Sequence, residues 1–333
     1  MKEGPQTSDI IVIGASAGGV EALQQIVSGL PPDLPAALFV ALHLPAGSVS
    51  HLPDILSRHG PLPALHAQDG HRIKHGFIYV APPNQHLLLH DGRIQLSAGP
   101  KENRHRPSVN VLFRSAAWTY GPRVIGVVLS GALDDGTSGL WEIKQRGGKA
   151  IVQDPSEALF PDMPQHAKDN VSIDYVVPLR DIATLLTDLA GQPVIVPDEK
   201  ARQSMKIQSS RTDLTCPECR GPISEFAQGP MKEYRCRVGH RYSPESFLAY
   251  HAETRERILW AAVVALEEGS DMASDLARRG VAGAPHLKRE AQNTASAAAT
   301  IRELLTSLSR ETSRHLMDKT DMSVPSQSAS PQS

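Results

Sequence analysis

Three short apolar runs constrain the fold of this chain more than any other feature of its sequence. They lie at Ile10–Ile13, at Ala37–Leu42 and within Arg123–Ser130. Apolar runs of this length are typical of strands that are covered on both faces, as in a parallel sheet. Segments with helical spacing alternate with the runs, so the sequence predicts an α/β fold with a mainly parallel sheet.

Shorter segments complete the predicted domain. Asp91-Gly92 predicts a two-residue hairpin turn between two short antiparallel strands. Ser108 is predicted to cap the helix that follows it. The predicted boundaries are strands at Phe77–Val80, Gln85–His90, Arg93–Leu96 and Lys149–Val152, and helices at Ser108–Tyr120, Thr137–Arg146 and Asp181–Ala190.

Composition excludes several classes of protein. The 333 residues contain no run of eighteen apolar residues, which argues against a membrane-spanning helix. The near balance of 34 basic and 36 acidic residues argues against a nucleic-acid partner. Three cysteines without a signal peptide do not form a disulfide framework. We therefore expect a cytoplasmic protein without membrane insertion.

The segment Gly14–Gly18 matches the pattern G-x-S-x-G between a predicted strand and a predicted helix. A sharp turn at this place exposes the Ser16 hydroxyl, and the helix N-terminus offers N–H groups to an oxyanion. Two alternatives remain, a tight connection without chemistry and a phosphate-binding turn. The second lacks both the G-x-G-x-x-G spacing and the P-loop ending.

A nucleophilic serine needs a base and an orienting acid. His43 ends the second predicted strand, and Asp134 and Asp135 follow the third apolar run. Because parallel strands end at one edge of a sheet, we expect a serine, a histidine and an aspartate to converge there. Their order in the chain differs from that of the α/β-hydrolases, which excludes that fold as the template.

Five segments in order resemble the catalytic domain of the chemotaxis protein-glutamate methylesterases, the CheB family. The resemblance extends from about residue 8 to residue 190. It implies a doubly wound α/β domain that hydrolyses glutamate methyl esters on the cytoplasmic helices of chemoreceptors and releases methanol. Some members also deamidate glutamine, and catalysis needs no cofactor. The segments are Ile11–Gly19, Leu42–Pro45, Tyr79–Pro82, His105–Val109 and Val128–Gly136.

Position by position, Ser16 resembles the family nucleophile, His43 the general base and Asp135 the acid that orients the imidazole. Asp134 competes for the last role, and we favour Asp135 because it adjoins Gly136 as in the family's Asp-Gly pair.

Three further residues are assigned to the cleft. The backbone at Ala132 resembles the oxyanion segment, and Ala17 occupies the position after the nucleophile, where the family commonly has threonine. Arg106 either lines the cleft and meets acidic receptor side chains or packs structurally near a helix start.

Only about nine residues precede the first predicted strand. We therefore expect no phosphorylatable receiver domain ahead of the catalytic domain, and control by some means other than aspartyl phosphorylation in cis.

The cysteines form a second motif. Cys216 and Cys219 are spaced C-x2-C, and Cys236 and His240 are spaced C-x3-H. This spacing is typical of two turns that supply four tetrahedral ligands, so we predict a structural zinc site. The alternative is three free cysteines beside an unrelated histidine.

These observations predict five regions: a catalytic domain at 8–191, a linker at 192–212, a zinc module at 213–243, a helical hairpin at 244–312 and a disordered tail at 313–333. The leading hypothesis is a methylesterase acting on chemoreceptors or a similar signalling protein. The alternative is a non-catalytic signalling scaffold that uses the α/β domain and the zinc-helical extension.

Overall fold

The computed structural model describes residues 6–44, 47–195, 207–280 and 283–321, with side chains up to residue 308. The chain divides into two compact units, Met1–Leu248 and Ala249–Ser333. The first unit holds the α/β part and a small antiparallel sheet, and the second is helical.

A seven-stranded sheet forms the centre of the first unit, and all its neighbouring strands are parallel. The predicted mainly parallel α/β fold is confirmed. The first strand lies in the middle, and the chain builds outward from it on both sides, which makes its C-terminal end a topological switch point. In spatial order the strands are β3 (Ala64–His66), β4 (Ile78–Val80), β2 (Ala37–Leu42), β1 (Ile10–Ala15), β7 (Val124–Val128), β8 (Lys149–Gln153) and β9 (Tyr175–Val177).

Helices cover both faces of this sheet. In β1, Ile10 and Val12 belong to one buried apolar cluster and Ile11 and Ile13 to the other, because successive side chains of a strand point to opposite faces. This is why the run has no polar residue. One face is covered by α1 (Gly19–Ser28), α2 (Leu52–His59) and α6 (Leu179–Leu189), the other by α3 (Val109–Tyr120), α4 (Thr137–Gln145) and α5 (Asp162–Asn170).

The predicted hairpin is confirmed as a separate two-stranded sheet of β5 (His86–His90) and β6 (Arg93–Ser97). Its turn residues Asp91 and Gly92 both have positive φ angles, 44° and 71°. Such a turn has the twist that antiparallel neighbours require.

A four-stranded antiparallel sheet follows, which we call the ribbon module (residues 207–243). It consists of β10 (Gln208–Thr215), β11 (Pro222–Gln228), β12 (Met231–Cys236) and β13 (Arg241–Tyr242). Its first strand begins inside the predicted linker 192–212. The sequence did not predict this strand, because a polar and exposed strand shows no apolar alternation. Residues 196–206 of that linker lie outside the described residues.

Two long helices end the chain, α7 (Pro244–Arg278) and α8 (Ala284–Asp321). Within the second unit, Val263, Ala298 and Leu305 form a buried cluster. The last helix continues past the predicted hairpin boundary at 312 into the predicted tail, of which residues 322–333 lie outside the described residues. None of the described helices combines the length and apolar character that crossing a membrane requires.

Candidate active site

Two neighbouring strands end side by side at the switch point. Ala15 and Leu42 are partners in the parallel register of β1 and β2, and Ser16 and His43 are the next residues. The His43 N–H donates to the Ala15 carbonyl over 3.2 Å, and the Ser16 N–H donates to the Ser130 carbonyl over 3.0 Å. The strand ends thus place the serine and the histidine next to each other.

His43 is hydrogen-bonded to Asp135. His43 Nε2 lies 2.8 Å from Asp135 Oδ2, and only 4% and 2% of the two side chains are exposed. Because a carboxylate accepts, Nε2 is the protonated nitrogen in the neutral form of the ring, which leaves the lone pair on Nδ1. Within the described part of the chain, His43 Nδ1 has no hydrogen-bond partner. Nor does the Ser16 hydroxyl have one there, so the structure places it beside the His–Asp pair without a bond to it.

The Asp135 carboxylate lies at the N-terminus of α3 and accepts four further hydrogen bonds. Burial would raise the pKa of Asp135, but the hydrogen bond and charge of His43 and the bond from Val109 lower it to about 2. The group is therefore ionised at neutral pH. The four donors are Val109 N at 2.7 Å, Ser108 Oγ at 3.0 Å, Asn110 N at 3.3 Å and Asn103 Nδ2 at 3.3 Å.

The prediction that the Ser108 side chain caps α3 is wrong, although its position is right. Ser108 does occupy the residue before α3, but its side chain makes no capping bond. Its hydroxyl donates to Asp135, and the carboxylate of Asp135 accepts the helix N–H groups instead. A carboxylate is favoured at a helix N-terminus by the helix dipole, so the proposed orienting acid also caps α3.

Two further histidines support this arrangement. The rings of His43 and His105 are stacked, with centroids 3.5 Å apart and planes 3° apart. Burial, and then the neighbouring His43, lower the pKa of His105 to about 3, so its ring is neutral. His86 accepts the Ser108 N–H at Nδ1 and donates from Nε2 to the Pro100 carbonyl.

Asp134 is hydrogen-bonded to the end of the ribbon module and the start of α7, and not to His43. Its Oδ1 accepts the hydroxyls of Ser243 and Ser246, each at 2.8 Å. Burial raises the pKa of Asp134 to about 6. Of the two competing aspartates, Asp135 is the one in contact with His43.

Comparison with known proteins identifies the family of this chain. The model of the CheB methylesterase family matches residues 11–186, more than half of the chain. The chain belongs to the CheB family. A solved relative, the CheB methylesterase catalytic domain of Thermotoga maritima, is 34% identical and aligns with a TM-score of 0.53, covering 55% of this chain and 100% of that structure.

Curated relatives extend the comparison. A protein-glutamate methylesterase/protein-glutamine glutaminase 2 of Methanosarcina acetivorans is 40% identical over 55% of this chain and 54% of its own length. A protein-glutamate methylesterase/protein-glutamine glutaminase 1 of Xanthomonas campestris is 40% identical over 56% of this chain and 53% of its own length. The chain thus spans about half the length of these relatives. A Leptospira interrogans protein is 41% identical over 54% of this chain and 94% of its own.

Ala17 directly follows Ser16 in the serine turn, and Ala132, the residue that resembles the oxyanion segment, lies in the loop after β7. Within the described residues, nothing accepts a hydrogen bond from the backbone N–H of Ala17 or Ala132. Between their loops the packing is close, because a Cβ on Gly131 would lie 2.8 Å from Ser16 Cβ and 2.1 Å from Met163 Sδ. Both N–H groups are available to a ligand oxygen.

Arg106 makes the contacts that a structural role requires. Its Nη1 donates to the carbonyls of Ala98 and Gly99 at 2.7 and 2.8 Å, and Nε and Nη2 donate to Asn84 Oδ1. The contact with acidic receptor side chains stays a prediction.

The sequence reasoning missed Asn103, His86 and His105 as parts of this site. His105 lies in one of the quoted CheB segments, which was the signal available for it. Asn103 and His86 follow no strand end and match no motif, and they reach the site through the loops and the hairpin.

The four predicted metal ligands lie together in the ribbon module. The ligand atoms of Cys216, Cys219, Cys236 and His240 are all within 4.8 Å of one another. Cys219 Sγ and Cys236 Sγ are 3.7 Å apart, and His240 Nδ1 lies 3.5 Å from Cys236 Sγ. A tetrahedron with metal–sulfur bonds of ~2.3 Å has edges of about 3.8 Å, so this group could hold a metal ion.

Proposed function

We propose that this chain is a serine hydrolase that cleaves glutamate methyl esters on chemoreceptor-like proteins and releases methanol. One observation carries the proposal. The buried His43–Asp135 pair lies beside Ser16, which sits on a strand-to-helix turn, and His43 Nδ1 has no hydrogen-bond partner in the described chain. Membership of the CheB family and the names of the relatives support the substrate class.

In this reaction Ser16 is the nucleophile and His43 Nδ1 accepts its proton as the hydroxyl attacks the ester carbonyl. Asp135, bonded to Nε2, fixes the tautomer and stabilises the imidazolium that forms. The backbone N–H groups of Ala17 and Ala132 stabilise the oxyanion. His43 then protonates the departing methoxide, and water activated by the same nitrogen hydrolyses the acyl-enzyme.

The stacked His105 supports this chemistry because its ring is neutral. A second charged ring 3.5 Å away would oppose formation of the imidazolium, and the burial that lowers the pKa of His105 removes that charge. The same steps with ammonia as leaving group deamidate glutamine, which we propose as a side activity.

Methylated cytoplasmic helices of a chemoreceptor, or of a similar signalling protein, are the proposed partner. Leu159 and Phe160 are exposed beside the serine turn, at 73% and 42%. A Cβ on Gly18 would lie 3.2 Å from Leu159, which places this apolar surface next to Ser16. An amphipathic helix could bury its apolar side there while presenting an ester to the serine.

For the Cys3His group we propose Zn²⁺ with a structural role. Three sulfur ligands and one imidazole, all within 4.8 Å of one another, suit zinc, and four protein ligands would leave no open position for a substrate. Thiolate ligands need a reducing compartment, so we place the protein in the cytoplasm.

Methanol release from a methylated chemoreceptor fragment tests the proposed function. We expect the wild type to release methanol and Ser16→Ala to release none above background. Ser28→Ala, at the other end of α1, is the matched control and should keep full activity. Full activity of Ser16→Ala would overturn the proposal, and an inactive wild type would favour the scaffold.

A further inference from the structure

The chain that leaves the metal ligands runs directly onto the loop before the active-site helix. His240 is followed by Arg241, whose N–H donates to the Lys101 carbonyl at 3.4 Å. The Asn103 N–H donates to the Arg241 carbonyl at 2.9 Å. One residue beyond a metal ligand, the ribbon module is therefore hydrogen-bonded to the catalytic part.

Asn103 connects this contact to the proposed orienting acid. Its Oδ1 accepts the backbone N–H of Ser243 at 2.9 Å, and its Nδ2 donates to Asp135 Oδ1 at 3.3 Å. The residue is 2% exposed. Because both ends of the amide are bonded, its orientation is fixed, and the position of Ser243 determines where the donor to Asp135 lies.

A second contact holds the neighbouring residue. The hydroxyls of Ser243 and Ser246 both donate to Asp134 Oδ1. Asp134 and Asp135 are adjacent in a turn that begins at Leu133, a non-glycine residue with φ of 62°. The chain after His240 thus fixes the acid-bearing turn from the side opposite His43.

The interface also contains ionic contacts, beside the packing of Met231 on the apolar core of the α/β part. Arg114 on α3 is paired with the buried Glu102 and lies 3.7 Å from Glu233 of the ribbon module, which also accepts the Ser138 hydroxyl at 3.0 Å. Hydrogen bonds and ion pairs hold only while the module keeps its shape. The 37 residues of the module bury too little apolar surface to keep that shape, and a bound metal would stabilise it.

We propose that the ribbon module is a metal-dependent positioning element for the active site. Metal bound by Cys216, Cys219, Cys236 and His240 fixes the segment 240–246. That segment, through Asn103 and Asp134, holds the Asp135 carboxylate in the orientation that binds His43. Turnover then depends on a metal ion that does not contact the substrate. The predicted effect on turnover rests on the proposed function, whereas the predicted effect of the metal on the position of Asp135 does not.

The kinetic test compares the full chain loaded with Zn²⁺, treated with a chelator, and reloaded. Four contacts to Asp135 remain when Asn103 is released, so we expect a partial loss, a fall in kcat of about ten- to a hundredfold. KM should change less than about twofold, because Asp135 acts on His43 and not on the substrate. Zn²⁺ should restore kcat. An unchanged kcat in metal-free protein would overturn the proposal.

Variants separate positioning from folding. At full Zn²⁺ content, Asn103→Ala and the double change Ser243→Ala/Ser246→Ala should each lower kcat about tenfold. Asn103→Asp keeps the acceptor for Ser243 but faces Asp135 with a second carboxylate, so it should also lose activity. The matched control is Ser209→Ala/Ser210→Ala on β10, whose exposed hydroxyls should be dispensable. Wild-type kcat in Asn103→Ala and Asn103→Asp would overturn the proposal.

Hydrogen exchange distinguishes this inference from the proposed function. The amides of Val109 and Asn110 donate to Asp135, so metal removal should speed their exchange at least tenfold while β1 stays protected. This readout needs no esterase activity. If the loaded wild type releases no methanol but exchange responds to metal, the proposed function fails and the coupling stands. Unchanged exchange would overturn the coupling.

Discussion

The α/β part and the ribbon module belong to one compact unit but are stabilised by different forces. The sheet buries an apolar layer on each face, with Phe39 in one and Leu38 in the other fully enclosed. In the described ribbon module, Ile223, Tyr242 and Cys216 are fully buried, whereas Cys219 is only partly buried. A fold stabilised by buried apolar area is sensitive to changes in side-chain volume. We expect the ribbon module to be sensitive instead to loss of its proposed metal ion and of its charged contacts.

The largest expected effect is the response to metal removal. A structural zinc site contributes about 10–16 kcal/mol of binding free energy to a small fold. A chelator under reducing conditions should therefore unfold the ribbon module and leave the α/β part folded. Limited proteolysis read by mass spectrometry should show new cleavage within 207–243 and continued protection of 8–191. Equal protection of both regions would contradict the contrast.

The reverse perturbation is Phe39→Ala. The side chain is fully buried and stacked on Tyr79 at 5.3 Å, so its loss should cost about 3–5 kcal/mol of unfolding free energy. Urea denaturation measures this cost, and metal analysis should show unchanged Zn²⁺ content. Phe160→Ala, at a 42% exposed position, is the control and should change stability by less than about 0.5 kcal/mol.

A pH-dependent effect is expected where the two regions meet. Burial raises the pKa of Asp134 from 3.8 to about 6, against the hydroxyls of Ser243 and Ser246 and the charge of His166, while Glu245 adds to the rise. The folded state therefore binds this proton more tightly, and stability falls as pH rises from about 4 to about 6.

Asp134→Asn removes this titration while keeping an acceptor for both serines. Relative to the wild type, the variant should gain stability between pH 4 and pH 7, by about 3 kcal/mol at most. Urea denaturation at the two pH values measures the difference. If the difference in unfolding free energy between the variant and the wild type were the same at pH 4 and pH 7, Asp134 would not have the raised pKa.

The smallest effect is expected at the ionic contact itself. Glu233 faces Arg114, Arg235 and Arg241, and these arginines lower its pKa although burial alone would raise it. Glu233→Gln keeps the shape and removes the charge. We expect the substitution to lower the free energy of unfolding by about 2 kcal/mol. This is less than for a fully buried pair, because the arginines are 20–33% exposed. Denaturation at low and high salt should show a smaller salt dependence than in the wild type.

The contrast also explains what could be predicted from sequence. The central strands are long apolar runs, and their positions follow from pattern alone. Strands β3 and β9 were missed because each has three partly exposed residues at a sheet edge, too few for a pattern. The first ribbon strand was missed because it is polar, whereas the Cys3His group that could hold a metal ion was predicted from the spacing of its residues.

The site residues also divide into those that a sequence pattern predicts and those that it does not. Ser16 and His43 directly follow strands, and Asp135 follows one in a short turn, so parallel topology brings them to one edge. Asn103 acts through bonds to residues 32 and 140 positions away in the chain, and no local pattern encodes such contacts.

The cap that Asp135 provides for α3 affects how relatives of this chain are interpreted. Losing this carboxylate would leave the first N–H groups of α3 and the Ser108 hydroxyl without their buried acceptor, so Asp135 contributes to stability whether or not it takes part in chemistry. The Ser16 hydroxyl carries no bond within the described chain. A descendant that lost its activity would therefore keep the aspartate and drift at the serine, which makes position 16 the diagnostic one for separating active from inactive homologues.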